Sequence, residues 1–421
     1  MVNIIKNTFL LLSLYLIRIM NKINNNSSYI LLFINICVII LVSSNLRSPL
    51  TAVGPVLHQL EAALNLTHFQ SSLLISIPLF MFATCSVLVS SFSNKLSINN
   101  LLLYALIFLN IGLFLRVLGP RWSLFIGSIF IGLGICIGNV IVPGYIKNNF
   151  SSQIGIMTGV FAISMNIIAA LASGYSVKIG EWTGLNWQGS LGIWIVFSLL
   201  ALIFVCIDLF FNKINIEEKP IIEKDDFNIF KSSQAWYISI FMGLQSLVYY
   251  CMISWLPIIL VDYGMMVKDT GWILFVIQMA MLPVTFISPI IANRMSNQKS
   301  IITFVCVLLL ISISLLTWTK LSYIFFAAIL LGLSNGMSFS LSILFFSLKT
   351  KKSINAIKIS GMAQSIGYLI AAIGPPLFGI LHFEGDSWNT SFYFIFIVIL
   401  LMFYFGKKAA ANSYIDSKNV I

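Results

Sequence analysis

Twelve long apolar runs, separated by breaks rich in charged residues or in Asn, Gly and Pro, restrict the folds available to this chain more than any other feature. Most of the runs reach the roughly 20 residues that a helix needs to cross a bilayer. The strands of a transmembrane barrel would instead be short segments of alternating polarity. The sequence therefore predicts an all-α integral membrane protein whose twelve transmembrane helices lie in a lipid bilayer. The runs cover roughly residues 29–57, 69–91, 100–118, 122–146, 153–177, 189–212, 233–261, 269–292, 299–319, 321–348, 354–382 and 387–407.

The distribution of positive charge predicts how the spans are oriented. With both termini placed inside, 18 of the 24 Lys and Arg residues fall on the inner side, five fall outside and one, Arg47, lies within the membrane. This bias follows the positive-inside rule, so we expect both termini to be cytoplasmic and the protein to lie in the inner or plasma membrane of the cell. The net charge of +11 thus reflects topology and does not indicate nucleic-acid binding. The five outer residues are Arg116, Arg121, Lys178, Lys268 and Lys320.

A charged segment at mid-chain divides the predicted spans into two groups of six. Residues 213–231 contain four lysines and five acidic residues, which is typical of a solvated cytoplasmic linker. The apolar run Phe9–Ile17 is too short to span, so the chain before the first span is predicted to be a cytoplasmic or interfacial extension. The predicted organisation is an extension at 1–28, a six-helix bundle at 29–212, the linker at 213–231, a second bundle at 232–408 and a cytoplasmic tail at 409–421.

The two halves of the chain also resemble each other at an offset of 202 residues. Glycine and alanine are common in membrane spans, so chance coincidence remains an alternative. Together with the central linker, the matches favour two parallel six-helix repeats that enclose a site near the midplane of the membrane. The matched pairs are Gly134 with Gly336, Lys147 with Lys349, Thr158-Gly159 with Ser360-Gly361, and Ile168–Ala170 with Ile370–Ala372.

One arginine lies deep in the first predicted span. Placing a guanidinium in hydrocarbon costs about 2.5–3.5 kcal/mol, so Arg47 is expected to face a water-filled cavity in the outer half of the membrane. Pro49 and Pro55 favour this interpretation, because helix breakers are tolerated where freed carbonyls meet protein or water. The alternative is that Arg47 reaches outward to lipid phosphates and only anchors the helix. Residues at helical spacing form a polar stripe along which a cavity is expected: Ser43, Arg47, Thr51 and Gly54.

Several short motifs occur in an order that is typical of a known family. They are Asn45–Pro55, Gly138-Asn139-Val140 with Pro143, Met157-Thr158-Gly159, Gly243–Ser246 with Tyr249-Tyr250 and Trp255-Leu256-Pro257, and Ser360–Gln364 with Gly374-Pro375. From about residue 44 to 382 the chain resembles the cyanate permease and nitroimidazole transporter family of the major facilitator superfamily. The resemblance implies two six-helix bundles related by a pseudo-two-fold axis, alternating access and a central site for a small solute. The loop Ser93–Ser97 lacks the acidic and arginine pattern usual for the superfamily, so a gating salt bridge in that loop is not inferred.

Polar side chains deep in other spans are candidate partners of the arginine, because such residues tend to face the bundle interior. In this fold, spans one, four, five, seven, eight, ten and eleven would border the cavity. For each amide the alternative is an interhelical hydrogen bond, worth about 0.6 kcal/mol on average. Gln245 and Gln364 are favoured because each has a tyrosine one turn further on, and Gln278 is a weaker candidate. The phenylalanines are expected to face lipid or to pack, and not to form an aromatic cage. The predicted solute-binding residues are Arg47, Thr51, Asn139, Asn166, Gln245, Tyr249, Asn335, Gln364 and Tyr368.

Acidic residues are nearly absent from the predicted spans. Apart from Asp269, the first residue of its run, Asp208 is the only carboxylate inside one, and it lies one turn from the cytoplasmic end, where it is expected to reach water. Proton-driven antiporters commonly depend on a buried Asp or Glu, and none is evident in the sequence. The six cysteines lie in spans without a C-x-x-C pair, so they are interpreted as small apolar residues with no disulfide or metal role.

Arg47 is therefore the only ionisable group expected to reach the cavity, and its positive charge would attract an anion or an electron-rich heterocycle. The sequence predicts a secondary active or facilitative transporter, expected to be monomeric, for a small anion or a small planar polar compound such as cyanate or a nitroimidazole. The alternatives are a proton-coupled drug or metabolite efflux pump and, more remotely, a membrane-embedded sensor or enzyme. No Ser/His/Asp set, metal-ligand cluster or P-loop supports an enzyme, and no cofactor is predicted.

Overall fold

The computed structural model describes residues 26–66, 68–93, 95–215, 227–385 and 388–416, and the regular structure in these residues is helical. The helices are α1 (Asn26–Asn45), α2 (Ser48–Thr51), α3 (Val53–Leu64), α4 (His68–Phe92), α5 (Ile98–Val117), α6 (Arg121–Asn149), α7 (Ile154–Thr183), α8 (Asn186–Asn215), α9 (Ser233–Asp262), α10 (Val267–Arg294), α11 (Lys299–Trp318), α12 (Ile324–Leu348), α13 (Ser353–Gly385) and α14 (Trp388–Ala409).

The described helices confirm the prediction of an all-α membrane protein. Eleven spans are long and apolar enough to cross a bilayer, and the first of them, Ile30–Leu57, includes α1, α2 and the start of α3. The 25-residue helix α4 supplies the remaining predicted span. Large apolar side chains such as Phe114, Leu200 and Phe304 are exposed on the outside of the bundle. Such a surface is stable in lipid, because lipid tails are as apolar as these side chains.

The first span is broken where the sequence contains its arginine. Helix α1 ends at Asn45, Leu46 and Arg47 form a turn, and Pro49 occupies the first turn of α2. A proline fits the first turn of a helix but interrupts a helix that continues through it. The side-chain amide of Asn45 caps the break by donating to the carbonyls of Leu41 at 2.8 Å and Phe197 at 3.2 Å. The break therefore leaves Arg47 outside a regular helix.

Helices α1–α8 pack mainly against one another, as do α9–α14, and these two sets are called here the first and second halves. The halves meet through α4 with α13, α7 with α10, and α6 with α13, while α12 contacts α6 and α7. Within the first half, α5 and α6 approach closely at two glycines. A Cβ on Gly112 would lie 2.7 Å from the Gly127 carbonyl oxygen, and a Cβ on Gly127 would lie 2.7 Å from the Gly112 carbonyl oxygen. Small residues permit this backbone-to-backbone packing.

The two halves are in contact near the face at which α1 begins and α14 ends, called here the terminal face. A Cβ on Gly159 of α7 would lie 2.7 Å from the Phe286 carbonyl oxygen on α10. A Cβ on Gly361 of α13 would lie 2.5 Å from the Ser86 carbonyl oxygen on α4. Each glycine thus packs against the second span of the opposite half. The predicted match of Thr158-Gly159 with Ser360-Gly361 is a structural equivalence.

The predicted match of Gly134 with Gly336 is not a structural equivalence. A Cβ on Gly134 would lie 2.6 Å from the Ala105 carbonyl oxygen on α5, the third span. A Cβ on Gly336 would lie 2.8 Å from the Met281 carbonyl oxygen on α10, which is the second span of its half. The two glycines therefore face different neighbours, and their alignment reflects the frequency of glycine in spans.

The chain after α14 packs on the terminal face instead of extending away from it. The Lys349 ammonium donates to the Ala411 carbonyl at 2.7 Å, and the Ile415 amide donates to the Lys349 carbonyl at 2.8 Å. The Asp416 carboxylate accepts from the side-chain amide of Asn355 at 3.0 Å. Burial lowers the pKa of Lys349 to about 8. The predicted tail thus packs on this face through its described residues, which end at Asp416; residues 1–25, 216–226 and 417–421 lie outside the described part of the chain.

Candidate solute-binding cavity

A narrow cavity of about 60 Å³ lies between the two halves, at the break in the first span. A water molecule takes up about 30 Å³ in the liquid, so the cavity matches a solute of only a few heavy atoms. Its polar and aromatic lining consists of Arg47, Asn139, Gln364, Tyr250, Tyr368, Phe82, Phe161 and Phe339, and its aliphatic lining consists of Leu46, Leu50, Pro143, Met165, Met242 and Ile343.

Arg47 lies in this cavity, held by groups from both halves. Its Nη1 donates to Asn166 Oδ1 on α7 at 2.7 Å, and its guanidinium carbon lies 4.8 Å from the centre of the Phe339 ring on α12. The Asn166 amide nitrogen donates in turn to the Ala162 carbonyl at 2.9 Å, which points Oδ1 at the arginine. A guanidinium has five N–H donors, and this hydrogen bond uses Nη1. Arg47 therefore faces the interior and does not anchor the helix to lipid phosphates.

A hydrogen bond between the two halves, supported by one within α13, closes one side of the cavity. The Gln364 side-chain nitrogen donates to Ser360 Oγ at 2.9 Å, and Ser360 Oγ donates to the Asn139 carbonyl at 3.2 Å. One turn further on, the Tyr368 ring lies 5.5 Å from the Phe82 ring between centroids. Helix α13 therefore contacts α4 and α6 at the cavity, and the predicted stripe of Ser360, Gln364 and Tyr368 does share one face.

The structure brings Arg47, Asn139, Asn166, Gln364 and Tyr368 together and leaves the other predicted site residues outside the cavity lining. Thr51 Oγ1 donates to the Ala169 carbonyl at 3.0 Å, and the Tyr249 hydroxyl accepts from Gln278 Nε2 at 3.1 Å. Gln245 is 2% exposed and donates to Ser246 Oγ at 2.7 Å. Asn335 is also 2% exposed, and its Nδ2 has no hydrogen-bond partner among the described residues. Thr51, Gln245 and Tyr249 thus make hydrogen bonds to other protein groups; only Gln245 among them is an amide, and its bond is to the adjacent residue and not between helices.

On α9, the residues that reach the cavity are Met242 and Tyr250, not Gln245 and Tyr249. The predicted pair Gln245 and Tyr249 lies one position before Ser246 and Tyr250. Adjacent helical positions differ by about 100° around the axis, so the two pairs face different neighbours. The spacing Met242, Ser246 and Tyr250 repeats every four residues and is the signal that would have identified this face.

The expectation that phenylalanines do not contribute to a cage is wrong at the cavity. Phe82, Phe161 and Phe339 all line it, and Phe339 provides a π-face for the arginine. Phe82 also shows that α4, the second span, borders the cavity, while α10, the eighth, supplies none of its described lining residues. Asn335, Phe339 and Ile343 follow one another at intervals of four residues. This spacing could have indicated the face of α12 that carries the lining residues Phe339 and Ile343.

The expectation that Asp208 reaches water is wrong. Asp208 is 1% exposed, and its Oδ2 accepts from Asn99 Nδ2 at 2.9 Å. The Tyr145 hydroxyl lies 3.0 Å from both Asp208 Oδ2 and Asn35 Oδ1. These partners come from α1, α5 and α6, which enclose the carboxyl group although it is close in sequence to the end of its span.

A profile of the family described as Major Facilitator Superfamily matches residues 31–372. The chain belongs to the major facilitator superfamily. Within it, this transporter is 34% identical over 378 residues to an uncharacterized transporter of Bacillus subtilis (strain 168), with 90% of this chain and 93% of that protein covered. It is 32% identical over 382 residues to the 2-nitroimidazole transporter of Escherichia coli (strain K12), with 89% and 94% covered. The cyanate transport protein of the same organism is 24% identical over 348 residues, with 82% and 88% covered.

Solved structures of other transporters share the fold. The proton:xylose symporter bound to 6-bromo-6-deoxy-D-glucose superposes with a TM-score of 0.73 at 11% identity, covering 92% of this chain and 97% of that one. The fucose transporter in its outward conformation superposes with a TM-score of 0.70 at 14% identity, covering 91% and 100%. These similarities establish that the transporter has the two-bundle fold of the superfamily.

Proposed function

We propose that this transporter carries a small anion or a small planar polar solute, such as cyanate or a nitroimidazole, and that Arg47 recognises it. The observation that supports this most directly is the guanidinium in the cavity between the halves, hydrogen-bonded to Asn166 and stacked on Phe339. A planar guanidinium fork matches a carboxylate-like or nitro-like group with paired hydrogen bonds. The proposal is one of transport, with no catalytic role assigned.

The size and walls of the cavity support a small cargo. Pockets for drug-sized ligands are about 300–1,000 Å³, whereas this cavity is about 60 Å³. A linear triatomic anion fits that volume, and a nitroimidazole would need the walls to move apart. Phe82, Tyr250, Tyr368 and Phe339 give the cavity an aromatic lining, which suits a planar solute. The relatives named for 2-nitroimidazole and for cyanate fit the same range of solutes.

The charge pattern supports a cytoplasmic location of the terminal face. Lys147 and Lys349, the last basic residues of two equivalent segments, both lie there. By the positive-inside rule this face points to the cytoplasm of a cell-membrane protein. In this proposal the segment at residues 213–231 is the linker between the two bundles, and the transporter acts as a monomer.

Counterflow in proteoliposomes tests the proposed cargo. Vesicles containing the purified protein and preloaded with unlabelled cyanate or 2-nitroimidazole are expected to take up the same labelled compound, because a carrier exchanges its substrate across the membrane without a gradient. Imidazole, which has the same ring without the nitro group, serves as the matched control and is expected to exchange poorly. Exchange of a lipophilic cation such as tetraphenylphosphonium, with neither expected solute exchanged, would contradict the proposal.

Proton coupling is a second candidate, favoured by the burial of Asp208. An ionisable side chain inside a span is costly and commonly marks an ion or proton pathway. Asn99 of α5 and Tyr145 of α6 contact this carboxyl group, and Asn35 of α1 contacts the Tyr145 hydroxyl in turn. The Tyr145 hydroxyl has one hydrogen but lies within reach of two acceptors. A proton on Asp208 would let Asp208 donate to the tyrosine oxygen while the tyrosine donates to Asn35, which completes the chain of hydrogen bonds.

Asp208→Asn is expected to lower solute accumulation driven by an imposed pH gradient by about tenfold or more, because an amide cannot take up and release the proton. Counterflow at equal pH is expected to stay within about twofold of the parent, since the cavity is unchanged. Glu181→Gln, which neutralises an exposed carboxylate at the end of α7, is the control. Accumulation by Asp208→Asn that equals the parent's would exclude this candidate.

A further inference from the structure

Arg116 is a buried arginine that does not line the cavity. It lies in the last turn of α5 and is 1% exposed, although the sequence places it among the residues outside the membrane. Its Nη1 donates to the Pro49 carbonyl at 2.6 Å, and its Nη2 donates to Ser128 Oγ at 3.1 Å. A buried charge is strongly unfavourable unless its donors are satisfied, so both contacts matter to the stability of this arrangement.

The Pro49 carbonyl belongs to the short helix that follows Arg47 directly. Helix α2 has four residues, Ser48–Thr51, and so few internal hydrogen bonds. The terminal carbonyls of any helix need partners from outside it. Arg116 supplies such a partner two residues after Arg47. The direction in which α2 leaves the turn therefore depends on a side chain of α5.

Arg116 is itself held by the closely packed pair α5 and α6. A Cβ on Gly127 would lie 2.9 Å from the Arg116 backbone nitrogen, so only glycine lets α6 approach this turn. Ser128 Oγ donates to the Leu124 carbonyl at 2.8 Å, which leaves its oxygen lone pairs facing the guanidinium. The arginine thus links a closely packed helix pair to the break in the first span.

We infer that Arg116 is a positioning residue for solute binding: by holding α2 at the Pro49 carbonyl, it sets the direction of the Arg47 guanidinium in the cavity. The inference rests on the proposed function, because it assumes that Arg47 contacts the solute. It adds a residue that touches neither the solute nor the cavity. It also explains why a second guanidinium is buried so close to the first.

Two measurements on the full chain test this role. Arg116→Met removes every donor and is expected to raise the KM for counterflow of 2-nitroimidazole about tenfold, with kcat within about twofold. Hydrogen exchange of the backbone amides between Leu46 and Val53 is expected to become faster in the same variant, because α2 loses its external partner. Arg116→Lys, which keeps one donor for the Pro49 carbonyl, is expected to restore both values to within about threefold of the parent.

Ser123→Ala is the matched control, because it removes a buried serine hydroxyl from the first turn of α6, which donates to the Pro120 carbonyl at 2.7 Å, and leaves both contacts of Arg116 in place. It is expected to leave the KM for counterflow and the hydrogen exchange of the amides between Leu46 and Val53 unchanged. Unchanged KM in a folded Arg116→Met protein would overturn the inference, as would faster exchange without a rise in KM. If Arg116→Met fails to fold, Arg116→Gln replaces it, and failure of both to fold would show a structural role and overturn the inference as well. If the parent protein shows no counterflow of any probe, the proposed function fails instead. The hydrogen-exchange measurement alone then still decides whether Arg116 holds α2.

Discussion

Arg47→Ala is expected to reduce counterflow of cyanate or 2-nitroimidazole by about 10- to 100-fold while leaving membrane insertion intact. Hydrogen bonds to a charged group are worth about 1.5–3 kcal/mol, and about 1.4 kcal/mol corresponds to a tenfold change in affinity. The guanidinium lies in the cavity beside Asn166 and Phe339, so its removal takes away the positive charge and the donor fork together. The loss should appear mainly in KM, because the anion is bound before the halves move.

Arg47→Lys separates charge from geometry. Lysine keeps the positive charge but cannot donate two parallel hydrogen bonds, so we expect an intermediate loss of about tenfold. Lys178→Ala, which removes a basic residue from the same half outside the cavity, is the control and is expected to transport normally. Counterflow by Arg47→Ala at the parent rate, with the same solute-induced rise in melting temperature, would exclude Arg47 from recognition.

Gly159→Leu is expected to abolish transport by preventing contact between the halves at the terminal face. Its Cβ would lie 2.7 Å from the Phe286 carbonyl oxygen, and a backbone atom cannot yield as a flexible side chain can. Alternating access requires this face to close in each cycle, so the protein should be held open there. Gly361→Leu should have the same effect, because its Cβ would lie 2.5 Å from the Ser86 carbonyl oxygen.

Gly174→Leu is the matched control, since it lies on the same helix with no heavy atom within 4 Å of its Cβ position. In a background without cysteines, Ser347→Cys would report access from the terminal face, because Ser347 Oγ now donates to the Pro143 carbonyl across the halves. A membrane-impermeant maleimide is expected to label this cysteine faster in Gly159→Leu than in Gly174→Leu. Equal labelling with full transport would show that the contact is not a gate.

The sequence predicted the parts of the site that depend on local chemistry. The prolines of the first span and the cost of burying a guanidinium predicted that Arg47 faces an interior cavity, whereas helical spacing predicted one continuous helix for the polar stripe from Ser43 to Gly54, which the structure breaks at Leu46 and Arg47. The stripe of Ser360, Gln364 and Tyr368 followed from helical spacing alone. The match of Gly159 with Gly361 could be recognised in the sequence because both halves place a glycine against the second span of the other half.

Other predicted site residues lie outside the cavity lining, because contacts with neighbouring helices decide which way a side chain points. Tyr250 lines the cavity instead of Tyr249 because of the rotation of α9 about its axis. Gln245 and Thr51 are polar and deep in spans, but adjacent groups satisfy them. The burial of Asp208 and Arg116 was unreadable, because distance along the chain from the end of a span does not reveal which helices cover it.

By itself, the sequence determined the membrane spans and the need of Arg47 for an interior cavity, because hydrophobic length and the cost of burying a charge are properties of a single segment. Only the tertiary structure decided which side chains meet: Arg47 with Asn166 and Phe339, Arg116 with Pro49, and Asp208 with Tyr145. These contacts join residues far apart in the chain, and they depend on the rotation and tilt of each helix against several others. In lipid those angles are set by packing and by a few polar contacts, not by the hydrophobicity of the spans.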